Sequence, residues 1–264
     1  MSDSLRQPQG TPCWVSLMTH DLPAACEFYG ALFGWAFTPG PDRLGPYVRA
    51  TLEGRLVAGV GGTAGAEGFP VDWVTYFSVD SADEVAHRIR DCSGTVALGP
   101  LDSGEAGRMA LAADPFGATF ALWEPYTHAG WQLRRAPGSV VWSELSVPSV
   151  LEAADFYAKT FGMAAVADGR AEVAHEGDAI LLKVGGHRVA GIRQSEPQQP
   201  QQPQPPQPRW RVYFAVADLD LAVKTTEALG GRLEQAAEST RYGEVAFLRD
   251  PQGGPFALVR LAEA

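Results

Sequence analysis

The amino-acid sequence consists of two similar halves, and this repetition restricts the possible folds more than any other feature. A tryptophan, a Phe-Tyr pair and a Phe-Gly pair follow one another in the first half and recur 128 positions later (Trp142 against Trp14). The repeated residues are Trp14, Phe28-Tyr29 and Phe33-Gly34, then Trp142, Phe156-Tyr157 and Phe161-Gly162. Self-similarity at a fixed period indicates a repeated structural unit. A chain of 264 residues can hold two domains, each with its own hydrophobic core.

Each half divides again into two modules with the order strand, helix, strand, strand, strand. In the first module Asp21 is placed to cap a helix that has Pro23 in its first turn and ends near Gly34. The second module reaches its last strand through the turn Asp114-Pro115-Phe116-Gly117, which recurs as Asp250-Pro251-Gln252-Gly253. We therefore predict an α+β protein of four βαβββ modules, with domains at residues 1–127 and 138–264. Residues 125–137 are predicted to link the halves, and the proline- and glutamine-rich tract 195–208 to link the last two modules as an extended, solvated connector.

The composition excludes several classes of function. The net charge is −10 without any lysine- or arginine-rich run, whereas nucleic-acid binding requires clustered basic residues that neutralise phosphates. No stretch of 18 apolar residues could cross a membrane, and the first residues lack the apolar segment of a secretion signal. We therefore expect a cytoplasmic protein with no nucleic-acid or membrane partner. The three cysteines, Cys13, Cys26 and Cys92, are expected to be reduced and buried.

The order of strand, Asp-Leu helix cap, helix ending in Phe-Tyr and Phe-Gly, and Asp-Pro-x-Gly before a last strand resembles the vicinal oxygen chelate superfamily. That superfamily includes glyoxalase I, extradiol dioxygenases, fosfomycin-resistance proteins and bleomycin-binding proteins. The likeness covers residues 11–261, and the run Gly30-Ala31-Leu32-Phe33-Gly34-Trp35 is most similar to its duplicated actinobacterial, glyoxalase-like subfamily. The resemblance implies two tandem domains, each of two βαβββ modules that form a cup-shaped, curved mixed sheet with helices on the outside. One scaffold of this kind hosts many activities, so the resemblance does not name the function.

The resemblance also implies where a divalent metal would be held. Catalytic members of the superfamily use His, Gln or Glu on the first, fourth, fifth and eighth strands of a domain. The corresponding positions in this chain carry Trp14, Val74 and Ala121, then Trp142, Arg211 and Ala257, with fourth-strand positions among residues 57–59 and 189–191. An indole offers no lone pair to a metal, and a guanidinium would repel one. His187 is the one candidate ligand nearby, which does not make a site, so we predict no metal and no other cofactor.

Because side chains alternate along a strand, residues two positions from a ligand position share its face. The face that lines each cup is predicted to hold Trp14, Ser16, Val74, Tyr76, Ala121 and Trp123 in the first half, and Trp142, Glu144, Arg211, Tyr213, Ala257 and Val259 in the second. The opposite faces are apolar, as packing on helices requires, and include Val15, Leu17, Phe77, Val79, Leu145, Val147, Phe214 and Val216. His175 and His187 lie on predicted strands near the second cup.

These faces lead to three hypotheses about function. The first is a metal-independent protein that binds or sequesters a small aromatic or carbonyl-containing molecule, since aromatic walls with few polar anchors suit small-molecule capture. Its ligand-binding residues would be Trp14, Ser16, Tyr76, Trp123, Trp142, His175 and His187. The second is a metal-free isomerase, cyclase or lyase of secondary metabolism, with Glu144 as general base, Arg211 as an anchor for a carboxylate or enolate oxygen, and Tyr213 as a hydrogen-bond donor. The third is a divalent-metal glyoxalase or dioxygenase-like enzyme whose ligands lie in another register.

Purely structural roles for the same residues remain open at this stage. Trp14 and Trp123 would then fill the first cup as core, and Glu144 and Arg211 would form a structural ion pair, since burying either charge alone is costly. The only partner predicted is a small molecule, and the chain is expected to be a monomer or a homodimer because duplication supplies both domains.

Overall fold

The computed structural model describes residues 6–41, 45–63, 70–163, 171–176, 179–195, 207–240 and 243–261. Its elements repeat the order strand, helix and three strands four times. The first half contains β1 (Pro12–Thr19), α1 (Leu22–Phe33), β2 (Ala36–Pro39), β3 (Tyr47–Leu52), β4 (Arg55–Gly62), β5 (Asp72–Ser78), α2 (Ala82–Asp91), β6 (Thr95–Asp102), β7 (Gly107–Ala113) and β8 (Thr119–Pro125). The second half contains β9 (Val140–Val147), α3 (Val150–Phe161), β10 (Ala171–Glu176), β11 (Ala179–Val184), β12 (His187–Gln194), β13 (Arg209–Ala215), α4 (Leu219–Ala228), β14 (Arg232–Thr240), β15 (Gly243–Arg249) and β16 (Pro255–Leu261).

The strands form two mixed sheets of eight strands, one from each half. Their orders are β2-β3-β4-β1-β5-β8-β7-β6 and β10-β11-β12-β9-β13-β16-β15-β14, which are the same order shifted by eight strands. In each module the first strand pairs in parallel with the last, as in β1 with β4 and β9 with β12, and the remaining pairs are antiparallel hairpins. The predicted α+β fold of two tandem domains built from βαβββ modules is therefore confirmed.

Local sequence explains where the first helix begins and ends. The Asp21 carboxylate accepts a hydrogen bond from the Ala24 backbone N–H at 3.0 Å, and Pro23 occupies the first turn, where no backbone donor is needed. Gly34 ends α1 in the left-handed conformation (φ 72°), which glycine adopts without steric cost. Gly162 ends α3 in the same way (φ 67°), so the two Phe-Gly pairs are helix-termination signals.

The compact units of the molecule do not follow the two halves of the chain. One unit combines the chain up to Cys13 with Thr75–Gly130 and Ser143–Trp210, and its helices α2 and α3 contact each other; we call it the α2/α3 unit. The other combines Trp14–Val74, Trp131–Trp142 and Arg211–Ala264 around the contact of α1 with α4, and we call it the α1/α4 unit. The predicted boundaries at 1–127 and 138–264 describe the sheets but not these units, and they stay a prediction.

Each unit has one main hydrophobic core, built from the helices and from one face of its strands. In the α2/α3 unit this core includes Phe77 and Phe120 from the first half, Leu145 and Trp210 from the second, and the apolar side of both helices. In the α1/α4 unit it includes Val15, Leu17, Trp73 and Phe214. A core that draws on both halves buries the apolar helix sides of the copies together, which a single module could not do by itself.

The motif residues that mark the repeat form a buried hydrogen-bonded chain in each unit. In the α1/α4 unit the Trp73 indole N–H donates to the Tyr29 hydroxyl at 3.0 Å, and that hydroxyl donates to the Asp250 carboxylate at 3.0 Å. The same carboxylate accepts the backbone N–H groups of Gln252 and Gly254, which closes the turn before β16. We call this arrangement the Trp-Tyr-Asp chain.

The α2/α3 unit contains the same chain at equivalent positions. The Trp210 indole donates to the Tyr157 hydroxyl at 2.8 Å, which donates to the Asp114 carboxylate at 3.1 Å. Burial, followed by the charge of the neighbouring carboxylate, raises the pKa of both tyrosines well above the usual value, so both remain hydrogen-bond donors. Burial likewise raises the pKa of Asp114 and Asp250, although backbone N–H groups and the tyrosine hydroxyls oppose that rise.

The linker between the halves is held in place by hydrogen bonds and by a ring contact. Gln132 exchanges two hydrogen bonds with the backbone of Leu56, one through its backbone N–H and one through its side-chain oxygen. The Trp35 indole donates to the Gly138 carbonyl at 2.7 Å, and Arg134 lies over the Trp131 ring at 4.4 Å from the centroid. A strand that the βαβββ order predicts near residues 164–167, and most of the predicted 195–208 connector, fall outside the described residues.

Two further expectations can be compared with the structure. The three cysteines form no disulfide with one another, and the prediction that all three are buried was wrong, because Cys26 and Cys92 are partly exposed and only Cys13 is buried. Among the residues that the structure describes, no helix is long and apolar enough to cross a membrane.

We predict that Tyr29→Phe and Tyr157→Phe each lower the free energy of unfolding by about 2–4 kcal/mol, because each removes a hydroxyl that satisfies a buried indole N–H and a buried carboxylate. Urea unfolding followed by far-ultraviolet circular dichroism would measure this. Tyr126→Phe is the matched control, since Tyr126 is 52% exposed, and it should change stability by no more than about 0.5 kcal/mol. Equal effects at all three positions would contradict a structural role for the chain.

We predict a defined pH dependence for Asp250. Its pKa is raised in the folded protein, so its contribution to stability is complete below the unfolded pKa of about 3.9 and is lost as pH rises through the folded value. The stability of the wild-type protein relative to Asp250→Asn should therefore increase as pH falls from 7 towards 5. Urea unfolding of both proteins across this range tests the sign, and Asp114→Asn should behave alike; a difference that grows towards high pH would contradict the assignment.

Candidate functional site

The predicted division of the strand faces matches the structure. Val15, Leu17, Phe77 and Val79 from the first sheet, and Leu145, Val147 and Phe214 from the second, belong to the cores that contain the helices, and Val216 packs against one of them. The predicted site residues alternate with these along the same strands, so they lie on the opposite face, which we call the far face. The helices therefore pack on one face of each sheet and not on the far face, where Trp14, Ser16, Tyr76 and Trp123 are buried by other parts of the structure.

In the α1/α4 unit the far face of the first sheet carries a hydrogen-bonded cluster centred on Tyr47 of β3. The Trp14 indole N–H donates to the Tyr47 hydroxyl at 3.0 Å. The Ser16 and Tyr47 hydroxyls lie 2.8 Å apart, and either can be the donor. Trp14 and Ser16 are buried, whereas the Tyr47 side chain is partly exposed. We call these three residues the Tyr47 cluster.

Two glycines on β4 make room for Tyr47. Ser16 is paired in register with Gly59, and a Cβ atom at Gly59 would lie 1.7 Å from the Tyr47 hydroxyl oxygen. A Cβ atom at Gly61, the register partner of Tyr47, would lie 3.3 Å from its ring. A side chain at residue 59 would thus displace the hydroxyl. Sequence reasoning missed Tyr47, although the glycine-rich stretch 59–62 was a signal that something approaches β4 closely.

In the α2/α3 unit the far face of the first sheet carries an aromatic pair. Tyr76 and Trp123 are both nearly buried, and their rings meet edge to face with centroids 6.4 Å apart. The Trp123 indole donates to the His128 carbonyl at 2.8 Å, and the His128 ring lies against Trp123 at 5.7 Å. Gly107 leaves room for the indole, because a Cβ atom there would lie 2.6 Å from the Trp123 ring. These contacts hold both aromatic rings in fixed positions.

In the second half Glu144 has a cationic neighbour that the sequence did not reveal. Its carboxylate lies 3.3 Å from the guanidinium of Arg193 on β12. The Glu144 side chain is only 12% exposed, while that of Arg193 is 45% exposed. The ion pair predicted from sequence, between Glu144 and Arg211, joins residues of different units and stays a prediction.

Arg211 and Tyr213 lie together on the far face of the α1/α4 unit. The Arg211 guanidinium stacks 4.4 Å above the centre of the Phe247 ring, and the Tyr213 ring meets the same phenylalanine edge to face at 6.1 Å. Tyr213, Phe247, Ala257 and Val259 form a separate apolar cluster with Trp142 packed against it. Stacking on an aromatic ring holds a guanidinium in a fixed plane, which suits recognition of a planar anionic group.

The two predicted histidines lie on β12 and β10 of the second sheet. His187 is exposed at the start of β12, directly after the Gly185-Gly186 turn. His175 lies on β10 with its backbone paired to Ile180, and its side chain is outside the described part of the structure. The structure therefore adds nothing in favour of either as a ligand-binding residue, and both stay predictions.

The side chains at the superfamily's metal positions do not fit a divalent cation. At the first-strand position the Trp14 indole N–H is already donated to Tyr47, and the register partner of Ser16 at the fourth strand is a glycine. Val74 and Ala121 supply no donor atom. Among the side chains that the structure describes, His, Cys, Asp and Glu nowhere form a group of three or more that could hold a metal ion. We therefore derive no step through a metal.

Comparison with known proteins agrees with the fold. A family model described as "Glyoxalase-like domain" matches residues 142–259. The chain is 36% identical over 259 residues to the protein named "Putative glyoxylase CFP32" of Mycobacterium tuberculosis, covering 96% of each chain. It is 35% identical over 268 residues to the anthracycline biosynthesis protein DnrV of Streptomyces peucetius, covering 96% of this chain and 94% of that one.

Solved structures show the same fold at low sequence identity. The Mn(II)-bound glyoxalase from Novosphingobium aromaticivorans matches with a TM-score of 0.63 at 14% identity, over 97% of this chain and 83% of that one. The 2,3-dioxygenase LapB from Pseudomonas sp. KL28 matches with a TM-score of 0.64 at 13% identity, over 97% and 94% of the two chains. With full-length relatives above one-third identity, the chain belongs to the duplicated, glyoxalase-like family of the vicinal oxygen chelate superfamily.

Proposed function

We propose that the protein binds a small planar aromatic molecule that carries a carbonyl oxygen, and that it does so without a metal. The observation that carries this proposal is the Tyr47 cluster, in which the Trp14 indole occupies the first-strand position where catalytic members of the superfamily carry a metal ligand, with the hydroxyls of Ser16 and Tyr47 beside it. Hydroxyl groups can bind an oxygen of a ligand directly. The Trp14 indole supplies aromatic surface within the same cluster. In the α2/α3 unit, Tyr76 and Trp123 form a separate edge-to-face pair.

The relatives support the aromatic part of this proposal. DnrV is named as a protein of anthracycline biosynthesis, and anthracyclines contain a planar ring system with carbonyl groups. Aromatic side chains bind such rings by stacking and edge contacts, while a small number of polar groups fix their orientation. A planar aromatic ketone therefore suits the indole and the two hydroxyl groups of the Tyr47 cluster.

A rigid planar ketone such as 9-fluorenone tests this proposal. Quenching of tryptophan fluorescence should show saturable binding with the same Kd in the presence and absence of EDTA. Trp14→Leu should weaken binding by about tenfold, because it removes the indole of the Tyr47 cluster. Trp131→Leu is the matched control, since Trp131 packs on the core that contains α1 and α4, and its Kd should not change. Absence of binding by the wild-type protein, or binding that EDTA abolishes, would contradict the proposal.

A second candidate function is metal-free proton abstraction from a carbon next to a carbonyl group. The observation in its favour is Glu144, a carboxylate with a side chain 12% exposed and a cationic neighbour, Arg193, on the adjacent strand. A carboxylate next to a cation could take such a proton as a general base. Arg211 and Tyr213, which belong to the α1/α4 unit, stay predictions as groups that bind an enolate oxygen. This would be the chemistry of an isomerase, cyclase or lyase of secondary metabolism.

Hydrogen exchange tests this second function without knowledge of the natural substrate. In deuterium oxide the wild-type protein should accelerate deuterium incorporation at the α-carbon of 1-tetralone, measured by mass spectrometry and unaffected by EDTA. Glu144→Gln should reduce that rate by about 10²–10⁴-fold, the usual contribution of a general base. Glu105→Gln, an exposed glutamate at the turn before β7, is the matched control and should leave the rate unchanged. Exchange that persists in Glu144→Gln would refute Glu144 as the base.

A further inference from the structure

The Tyr47 cluster contains one more hydroxyl hydrogen than its own hydrogen bonds use. The Trp14 N–H accounts for the bond from Trp14 to Tyr47. One hydrogen bond joins the hydroxyls of Tyr47 and Ser16. One of the two hydroxyls donates its hydrogen to this bond and the other accepts it. The other hydrogen is therefore available to an acceptor outside the cluster, whichever hydroxyl donates within it.

Of the two residues only Tyr47 has exposed surface, so it is the one through which the cluster can extend towards a ligand. Ser16 is fully buried, whereas Tyr47 is partly exposed. When Ser16 donates to Tyr47, the phenolic oxygen accepts from both Ser16 and Trp14, and its own hydrogen is left for a ligand. Burial raises the pKa of Tyr47, although Ser16 and Trp14 oppose that rise, so the phenol keeps its proton at neutral pH.

The second half shows that this position can carry a different polar group. The parallel register of Ser16 with Gly59 recurs as that of Glu144 with Gly191. Tyr47 is paired with Gly61, and the equivalent pair in the second half is Ala179 with Arg193. The large side chain thus comes from β3 in the first half and from β12 in the second. The first copy presents a neutral hydroxyl where the second presents an ion pair.

The geometry points to Tyr47 as the residue that selects a neutral carbonyl oxygen on the ligand of the first sheet, by donating its hydroxyl hydrogen to that oxygen. This inference rests on the proposed binding function and adds its specificity-determining group. A ligand without an oxygen acceptor leaves the donor unsatisfied and binds less tightly. The three side chains of the cluster are uncharged, so its hydrogen bond serves a neutral acceptor, and the charge that acts on Tyr47 is that of Arg49, two positions along β3.

The test compares two ligands that differ only in the carbonyl group, 9-fluorenone and fluorene, on the full chain. Tyr47→Phe should weaken fluorenone binding roughly fivefold to tenfold, the usual effect of one hydrogen bond, and change fluorene binding less than twofold. The carbonyl stretch of bound fluorenone should lie at lower frequency in the wild-type protein than in Tyr47→Phe, because a hydrogen bond weakens the carbonyl bond. Tyr126→Phe removes an exposed hydroxyl elsewhere and should change neither reading.

Gly59→Ala provides a second variant that keeps the hydroxyl but moves it, since the new Cβ atom would occupy the site of the phenolic oxygen. It should reproduce the selective loss of fluorenone affinity, with Gly30→Ala as its control because the nearest atom there is 3.4 Å away. Equal losses for both ligands, or an unchanged carbonyl stretch in Tyr47→Phe, would overturn the role of Tyr47 and leave the proposed function intact. Failure of both ligands to bind the wild-type protein would instead overturn the proposed function, and this inference with it.

Discussion

The Trp-Tyr-Asp chain is the interaction on which the rest of this fold depends. In each unit it joins a helix, a strand and a turn that come from three different modules, through bonds of 2.8–3.1 Å. A buried indole N–H or carboxylate without a hydrogen-bond partner lowers the free energy of unfolding more than a solvent-exposed one does. Each of the three groups therefore depends on the other two as partners. The chain therefore fixes how a helix from one half meets the last strand of the other half within each compact unit.

This use of the motif residues separates the requirements of the fold from those of the ligand. Tyr29, Tyr157, Asp114 and Asp250 are needed to assemble the cores, and they lie on the helix side of the sheets. The residues of the far faces take no part in the Trp-Tyr-Asp chain. The two copies differ there, with Ser16 and Tyr47 in one and Glu144 and Arg193 in the other. Duplication has kept the scaffold constant and allowed the polar groups of the far faces to change.

Much of the fold could be predicted from the sequence, because the repeat, the Asp21 cap and the Phe-Gly helix ends act over a few residues. Strand alternation also placed Trp14, Ser16 and Tyr76 on the correct face. The composition of the units could not be predicted, because it depends on contacts between residues such as Tyr157 and Asp114 that lie 43 positions apart in sequence. Tyr47 was missed because it belongs to β3, a strand on which no site residue was sought. Arg193 was missed although it lies on β12, two positions beyond the residues 189–191 that were considered.

The exchange of Tyr47 and Gly61 for Ala179 and Arg193 shows how a close-packed sheet can change its ligand chemistry. Interiors are packed almost as densely as organic crystals, so a large side chain on one strand requires a small one at the paired position. Gly59 and Gly61 provide that space for the Tyr47 ring and hydroxyl. In the second half Ala179 stands where the first half has Tyr47, so β12 has room for Arg193. Arg193 then lies beside Glu144 on β9, the position that carries Ser16 in the first half. A neutral donor and an ion pair are thus alternative solutions to the same packing problem, and the residues at one equivalent register pair decide which strand supplies the group.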